Sequence, residues 1–168
     1  MIPTLDLGDY LAGSITARNA LAAKLRDIQE NIGFYTVVNH GVPQSPIDQG
    51  YQALRQFFSL PLNEKLEVKI DQNSVGYVPI RSTVYVTSKF NKNTQKDLNE
   101  TITIARERAT NDPDIRNGLR FVGPNQWPKG LPVFRDAMIG YQEALAKLGY
   151  SMLPLYALAL DLPANYFD

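Results

Sequence analysis

The spacing of apolar side chains predicts three helices in the first part of the chain. The first helix is expected to begin after Ser14, a common capping residue, and to end at Gly33. The second should begin at Ser45-Pro46 and run to about Phe58. A shorter third helix is predicted over residues 61–68. The inward positions are Leu21, Leu25, Ile28 and Ile32 in the first helix, and Ile47, Tyr51, Leu54 and Phe58 in the second.

The clearest helical pattern lies near the end of the chain. Apolar side chains repeat there at steps of four and three residues, which predicts one long helix with a single apolar stripe. Pro154 falls inside it and is expected to bend it. The stripe consists of Phe134, Met138, Tyr141, Leu145, Leu148, Met152, Leu155 and Ala159.

Three short stretches have the character of strands. Residues 2–7 are apolar and lead into a turn at Gly8, and residues 34–38 are aromatic and β-branched, which favours a buried strand. Residues 98–104 alternate with period two. The mixture of helices and irregularly placed strands predicts an α+β fold without the regular alternation of a doubly wound sheet.

Two segments are predicted to be rich in loops. Residues 70–96 are rich in Asn, Ser, Thr and Lys, with only a weak alternation around Val84 and Val86. Residues 111–131 are rich in proline and glycine, and we expect a loop there rather than a helix or strand. The chain of 168 residues is otherwise of a length that suits one domain.

Charge and composition narrow the classes of function. The 17 basic and 17 acidic residues cancel, so the chain lacks the net field that draws proteins to nucleic acids or anionic membranes. We therefore expect neither as a partner. The sequence contains no cysteine, and its first residues lack the features of a secretory signal. These observations predict a cytoplasmic location.

Several catalytic chemistries lack the residues that they require. No Gly-x-Ser-x-Gly elbow is present to pair a serine with the only histidine, His40, and no glycine-rich phosphate loop occurs. A facial non-haem iron site needs two histidines and a carboxylate, and one histidine cannot supply two ligands. The sequence therefore predicts no catalytic residue and no metal ligand in this chain.

The individual candidates have ordinary structural explanations beside the functional ones. A lone histidine at a strand end beside glycine is more often held by backbone hydrogen bonds than used as a ligand, which favours a structural His40. Asp112-Pro113-Asp114 is more typical of a turn than of a divalent-cation site. Tyr77 is interpreted as a half-buried turn residue or, less often, a ligand contact. Arg81 is either an anion contact or a solvated charge.

Seven motifs occur here in the order found in one family. They are Ile2-Pro3-Thr4-Leu5-Asp6-Leu7, Ile32-Gly33-Phe34-Tyr35, Val38-Asn39-His40-Gly41-Val42-Pro43, Phe57-Phe58-Ser59-Leu60-Pro61 with Glu64-Lys65, Gly76-Tyr77, Asn125-Gln126-Trp127-Pro128 and Ala157-Leu158-Ala159-Leu160. With these motifs the chain resembles the N-terminal half of the non-haem iron, 2-oxoglutarate-dependent oxygenases, in the branch that includes isopenicillin N synthase. The likeness covers essentially all of residues 1–168.

The resemblance implies a helical support region rather than a catalytic core. In the family, the iron-binding His-x-Asp, the later His and the Arg-x-Ser for 2-oxoglutarate lie on a jelly roll (double-stranded β-helix) that follows the matched region. The few strands of this chain would extend that jelly roll, which the chain itself lacks. Residues 1–168 are thus expected to be a non-haem dioxygenase N-terminal domain truncated before its catalytic region. Fe(II) and 2-oxoglutarate are implied for a complete member, and no cofactor for this chain alone.

The resemblance also suggests roles for particular residues. Asn39, His40 and Gly41 match a structural strand-end motif, while Tyr77, Arg81 and Glu100 are candidates for the border of the substrate pocket. Isopenicillin N synthase has an arginine and a second tyrosine near its Gly-Tyr pair, where this chain has Ser74 and Val78, so penicillin-type chemistry is not expected.

Two hypotheses about function follow. The first is the N-terminal portion of an oxidoreductase that acts on a small molecule and is not catalytic by itself. Its partner would be the missing jelly-roll region, or a second copy bound through exposed edges. The second hypothesis is a free-standing, non-enzymatic binding or interaction module derived from the same region.

Overall fold

The computed structural model describes residues 1–84, 90, 94–109 and 111–168. These residues form two compact units, one of Met1–Ile47 with Tyr141–Asp168 and one of Asp48–Gly140. The helices and strands, in chain order, are β1 (Thr4–Asp6), α1 (Gly8–Leu11), α2 (Ile15–Asn31), β2 (Thr36–Val38), α3 (Gln44–Phe58), α4 (Leu62–Leu66), β3 (Gly76–Val78), β4 (Thr101–Thr103), α5 (Pro113–Arg116) and α6 (Phe134–Ala159).

Helix α2 has the boundaries that its sequence predicts. The Ser14 hydroxyl oxygen accepts a hydrogen bond of 3.1 Å from the backbone N–H of Ala17, which satisfies a donor in the first turn. Gly33 ends the helix with a φ of +89°, a backbone conformation in which glycine meets no side-chain strain. Ile32, predicted to face inward, caps the helix and is exposed.

The first unit encloses a small apolar core beside a parallel strand pair. β1 and β2 align Leu5 with Val37, and the backbone N–H of Leu7 donates to the carbonyl of Val38. The Tyr10 hydroxyl donates to the Ser151 carbonyl of α6. β1, α2 and the last part of α6 are therefore joined by apolar packing, while hydrogen bonds join β1 to β2 and α1 to α6. The core consists of Leu5, Leu7, Leu25, Ile28, Met152 and Leu155.

The prediction of a buried strand over residues 34–38 is correct for the strand but wrong for its burial. Phe34 is 58% exposed and Val38 is 42% exposed, and only the alternate positions Tyr35 and Val37 are partly covered. Among the residues that the structure describes, β2 pairs only with β1 and is covered on one face, so a continuous apolar run here does not mark a strand buried on both faces.

The apolar face of α3 lies one position away from the predicted one. The helix begins at Gln44, and its buried residues are Gly50, Ala53 and Phe57, whereas Tyr51 is 59% exposed. Adjacent residues of a helix point about 100° apart, so this difference rotates the buried stripe by that angle. Two of the three buried positions are the small residues Gly50 and Ala53, which a search for large apolar side chains misses.

Both segments predicted to be loops contain a short element. β3 lies within residues 70–96, and α5 lies within residues 111–131. Val86 and the other residues of 85–89 and 91–93 lie outside the described part of the chain. β3 spans only three residues and α5 only four, so neither is long enough to show a period in sequence.

Two amide side chains of the 111–131 segment, Asn125 and Gln126, form hydrogen bonds with the backbone of other segments. Asn125 exchanges hydrogen bonds with the backbone of Ala105, accepting from its N–H at 2.8 Å and donating to its carbonyl at 2.9 Å. Gln126 donates to the carbonyls of Lys69 and Val75. These amides act as an additional strand partner, which explains an ordered path for a segment with little secondary structure of its own.

Helix α6 begins at Phe134 and ends at Ala159, as its apolar stripe predicts. Phe134, Met138, Met152 and Leu155 are buried, whereas Leu145 is 42% exposed. The helix continues through Pro154, and the expected bend stays a prediction. Among the described residues, no helix is both long and apolar enough to cross a membrane.

Gly76 begins β3 at a position where a side chain would not fit. Its φ is +118°, and an added Cβ would lie 2.6 Å from the Val68 carbonyl oxygen and 2.7 Å from Gln126 Nε2. The approach is close because Tyr77 donates its backbone N–H to Val68 while Ile70 donates to Tyr77. β3 is therefore hydrogen-bonded on both edges, to β4 and to residues 68–70.

We expect Gly76→Ala to lower the free energy of unfolding by more than about 2 kcal/mol, since it adds both backbone strain and a steric clash. Gly118→Ala is the matched control, because Gly118 also has a positive φ of +63° but an added Cβ there meets no atom within 4 Å. Urea unfolding of both variants would measure the difference. Equal losses would mean that the close approach to Val68 contributes nothing.

Candidate functional site

Strand pairing brings two of the candidate residues together. β3 and β4 are antiparallel, with Tyr77 opposite Ile102 and Val78 opposite Thr101. Glu100 immediately precedes β4, and the Tyr77 hydroxyl donates a hydrogen bond to Glu100 Oε2. The interpretation of Tyr77 as a half-buried turn residue is therefore wrong, because Tyr77 is a fully buried strand residue with a carboxylate partner.

Lys65, on α4, completes the group. Its Nζ lies 2.8 Å from Glu100 Oε2, donates to the Phe58 carbonyl at 3.3 Å, and lies 5.4 Å from the centroid of the Tyr77 ring. Lys65 is only 7% exposed, so its ammonium has exchanged water for these partners. Phe58 is the last residue of α3, where the helix dipole also favours a positive charge. We call the buried Lys65 and Tyr77, together with the partly exposed Glu100, the triad.

The triad rests on an aromatic cluster. Phe57 meets the Tyr77 ring edge to face at 5.7 Å between centroids, and the Phe134 ring at 5.3 Å. Trp127 meets Phe134 at 6.2 Å. Such pairs stabilise by about 0.5–1.5 kcal/mol each beyond the area they bury. The cluster fixes the Tyr77 ring and excludes water from one side of the triad.

Burial and pairing shift the acidity of two members of the triad. Burial, followed by the hydrogen bond to Glu100, raises the pKa of Tyr77 to about 12, so the phenol keeps its proton. The hydrogen bond from Lys65, followed by that from Tyr77, holds the pKa of Glu100 below its ordinary value of 4.5. At neutral pH Glu100 is thus a carboxylate and Tyr77 a neutral phenol.

Arg81, the third pocket candidate, stands apart from the triad in its contacts. Its backbone N–H donates to the Asp97 carbonyl at 2.9 Å, and its side chain is exposed. Within the described ranges, no hydrogen bond or ion pair joins that side chain to Tyr77 or Glu100. The structure therefore unites two of the three candidates and leaves Arg81 with its guanidinium in solvent.

His40 is held by its own loop in the first unit. Its Nδ1 accepts a hydrogen bond of 3.1 Å from the backbone N–H of Val42. Asn39 has a φ of +52° and donates from Nδ2 to Asp6 Oδ1 at 2.8 Å, and Gly41 also has a positive φ. The Asn-His-Gly motif thus provides a tight strand end, which supports a structural role for all three residues.

Asp112 and Asp114 are engaged by a protein cation. Asp112 caps α5 by accepting from the N–H of Asp114, and that bond is the main reason why the pKa of Asp112 is lowered. Arg108 Nη1 lies 3.1 Å from Asp112 Oδ2 and 2.7 Å from Asp114 Oδ2. The guanidinium thus pairs with both carboxylates, and the stretch predicted to be a loop turn is the capped start of helix α5.

Iron of the kind used by non-haem oxygenases does not fit the donors of this chain. A facial site requires two imidazoles and a carboxylate, and the sequence contains one histidine. In the described part of the chain, no group of three or more His, Cys, Asp or Glu side chains could hold a metal ion. No reaction step can therefore be assigned to iron bound by these residues alone.

Lys65 is the site residue that analysis of the sequence did not single out. The sequence places it on a helix, in the Glu64-Lys65 pair, where a lysine is ordinarily solvated. Its partner Glu100 lies 35 positions further on. The spacing of apolar residues does not indicate that this lysine is buried. The one available signal was that Glu64-Lys65 follows the Phe57-Phe58-Ser59-Leu60-Pro61 motif.

Comparison with known proteins identifies the family. Residues 2–130 match the family described as the non-haem dioxygenase in morphine synthesis N-terminal. The chain is 34% identical over 149 residues to kihadalactone A synthase LFS of Citrus sinensis, covering 88% of this chain and 43% of that protein. It is 30% identical over 171 residues to the 2-oxoglutarate-Fe(II) type oxidoreductase hxnY of Emericella nidulans. That match covers 99% of this chain and 48% of the relative.

The chain belongs to the non-haem iron, 2-oxoglutarate oxygenase family and matches its N-terminal region, which confirms the resemblance. It spans about half the length of the curated relatives it matches. Solved structures agree on the fold, with helices and a few strands. A 2OG-Fe(II) oxygenase family protein from Caulobacter crescentus superposes with a TM-score of 0.80 at 20% identity, over 99% of this chain and 50% of that one. The dioxygenase for auxin oxidation of rice superposes with a TM-score of 0.61 at 25% identity, over 96% of this chain and 46% of that one.

We expect Tyr77→Phe to lower the free energy of unfolding by roughly 1.5–3 kcal/mol, because it removes a buried hydrogen bond to a charged group. Tyr51→Phe is the matched control, since Tyr51 is exposed on α3, and should change stability by less than about 0.5 kcal/mol. Denaturant unfolding of the two variants tests this. A loss in Tyr77→Phe no larger than in the control would contradict the contribution of the hydroxyl.

The lowered pKa of Glu100 predicts a dependence of stability on pH. The folded chain holds this carboxylate in its ionised form more strongly than the unfolded chain does. The resulting stability is therefore present above the ordinary value of 4.5 and is lost as the pH falls below it. We expect the free energy of unfolding to fall less steeply between about pH 5 and pH 3 in Glu100→Gln than in the unaltered chain. Parallel slopes would contradict this.

Proposed function

We propose that this chain is the N-terminal portion of an iron- and 2-oxoglutarate-dependent oxidoreductase that acts on a small molecule, and that it is not catalytic by itself. The observation that carries the proposal is the single histidine in a chain that belongs to this family and spans about half the length of its relatives. Two imidazole ligands are needed, so the iron site must be completed by residues outside these 168.

The proposed structural role is to support a jelly roll supplied by that further region. In the described part of the chain β2 pairs with β1 alone, and the exposed apolar side chain of Val38 lies on it, with that of Phe34 just before it. A strand with a free edge and an apolar face is suited to extending a larger sheet. Residues 1–168 would then form a support region on the N-terminal side of that jelly roll.

Tyr77, Arg81 and Glu100 are proposed to lie at the border of the substrate pocket. Glu100 is partly exposed, and Arg81 is exposed, so both are accessible to a small molecule. Tyr77 is fully buried in this chain, so its contribution would be made through Glu100. This arrangement offers a carboxylate and a guanidinium for polar groups of a substrate.

We expect the isolated chain to bind ferrous iron only weakly and to form no succinate from 2-oxoglutarate, because its donor set is incomplete. Anaerobic calorimetric titration with Fe(II), followed by a succinate assay, measures both. A complete relative with both halves serves as the positive control. Tight one-to-one binding that His40→Ala abolishes would overturn the proposal and make His40 a ligand.

Two further measurements separate the proposal from a free-standing interaction module. Reading the coding DNA past Asp168 should reveal His-x-Asp, a distant His and Arg-x-Ser. Size-exclusion chromatography of the chain alone should show aggregates or oligomers, since the support region is proposed to lack its cover. A compact monomer without such downstream motifs would instead favour the independent module.

A further inference from the structure

We infer that Lys65 is a positioning residue, whose buried ammonium fixes the carboxylate of Glu100 in place beside β4. The inference deepens the proposed function and rests on it, because Glu100 matters to the substrate only if it borders the pocket. Lys65 itself touches the carboxylate, a backbone carbonyl and an aromatic ring, and it is too buried to meet a substrate.

The geometry of the triad assigns different tasks to the two carboxylate oxygens. Oε2 accepts from both Lys65 and Tyr77, so its two lone pairs are engaged. Among the described residues, Oε1 accepts no hydrogen bond from a side chain or the backbone. Two donors on one oxygen restrict rotation of the carboxylate, and Oε1 is then the acceptor that remains for a substrate group.

Charge indicates which substrate groups suit that acceptor. The ammonium of Lys65 lies 2.8 Å from Oε2 and neutralises the carboxylate. A cationic substrate would approach a pair with no net charge and would meet the field of the ammonium, whereas a neutral hydroxyl or amide N–H needs only an acceptor. The inference therefore favours a neutral hydrogen-bond donor on the substrate.

Among the described residues, the buried Lys65 ammonium forms an ion pair with Glu100 alone, so the contribution of that pair to stability can be measured with single and double variants. Removing one member of a buried ion pair leaves an uncompensated charge and is strongly destabilising, whereas removing both is far less so. Lys65→Met should therefore raise the unfolding equilibrium constant on the order of 100-fold or more in the unaltered chain. In a Glu100→Gln background the same change should have a much smaller effect.

A carboxylate readout tests positioning apart from stability. The ¹³Cδ resonance of Glu100, assigned with Glu100→Gln, can be followed by NMR as the pH falls. In Lys65→Met its titration midpoint should move to higher pH, and Lys65→Arg should restore it in part because the charge is kept. Lys129→Met is the matched control, since Lys129 is an exposed lysine of the same unit, 3.9 Å from Glu67, and should leave the midpoint unchanged.

An unchanged Glu100 midpoint in Lys65→Met would overturn the inference even if stability fell. Should Lys65→Met fail to fold, the Lys65→Met/Glu100→Gln double variant is expected to fold, and a double variant no more stable than Lys65→Met would overturn it. All these measurements use the chain without iron or 2-oxoglutarate. An unchanged Glu100 midpoint would therefore contradict the role of Lys65 and leave the proposed function standing. Tight Fe(II) binding would contradict the proposed function and leave the role of Lys65 standing.

Discussion

One shared oxygen atom joins three elements of the second unit. Oε2 of Glu100 accepts from Lys65 on α4 and from Tyr77 on β3, while Glu100 itself leads into β4. Because an ammonium and a carboxylate in a buried setting must compensate each other, the helix, the strand pair and the aromatic cluster under Tyr77 have to assemble together. The position of any pocket group on this strand pair depends on that assembly.

The network also explains why polar side chains at this place need not be catalytic. A buried phenol whose pKa is raised to about 12 and a carboxylate whose pKa is lowered are both held in one protonation state at neutral pH. Groups that exchange protons during catalysis have a pKa near the working pH. The triad is thus suited to fixed hydrogen bonding.

Much of the fold and a part of the site could be predicted from sequence, for local reasons. Caps and periodicity located α2 and α6, whose ends at Gly33 and Phe134 match the structure. The sequence did not predict β3, because this three-residue strand is defined by pairing with distant residues such as Thr103. The buried stripe of α3 was predicted one position away because Gly50 and Ala53 carry little apolar area and so give no signal in a pattern of large apolar side chains.

The family and the shortage of histidine ligands for iron can both be read from the order of amino acids, because they rest on seven ordered motifs and on a count of histidines. The pairing of charged side chains depends instead on the folded structure. Arg108 engages Asp112 and Asp114, and Lys65 pairs with Glu100 across 35 positions. Local patterns determine backbone conformation over a few residues, whereas the partner of a buried charge is set by the packing of elements far apart in the chain.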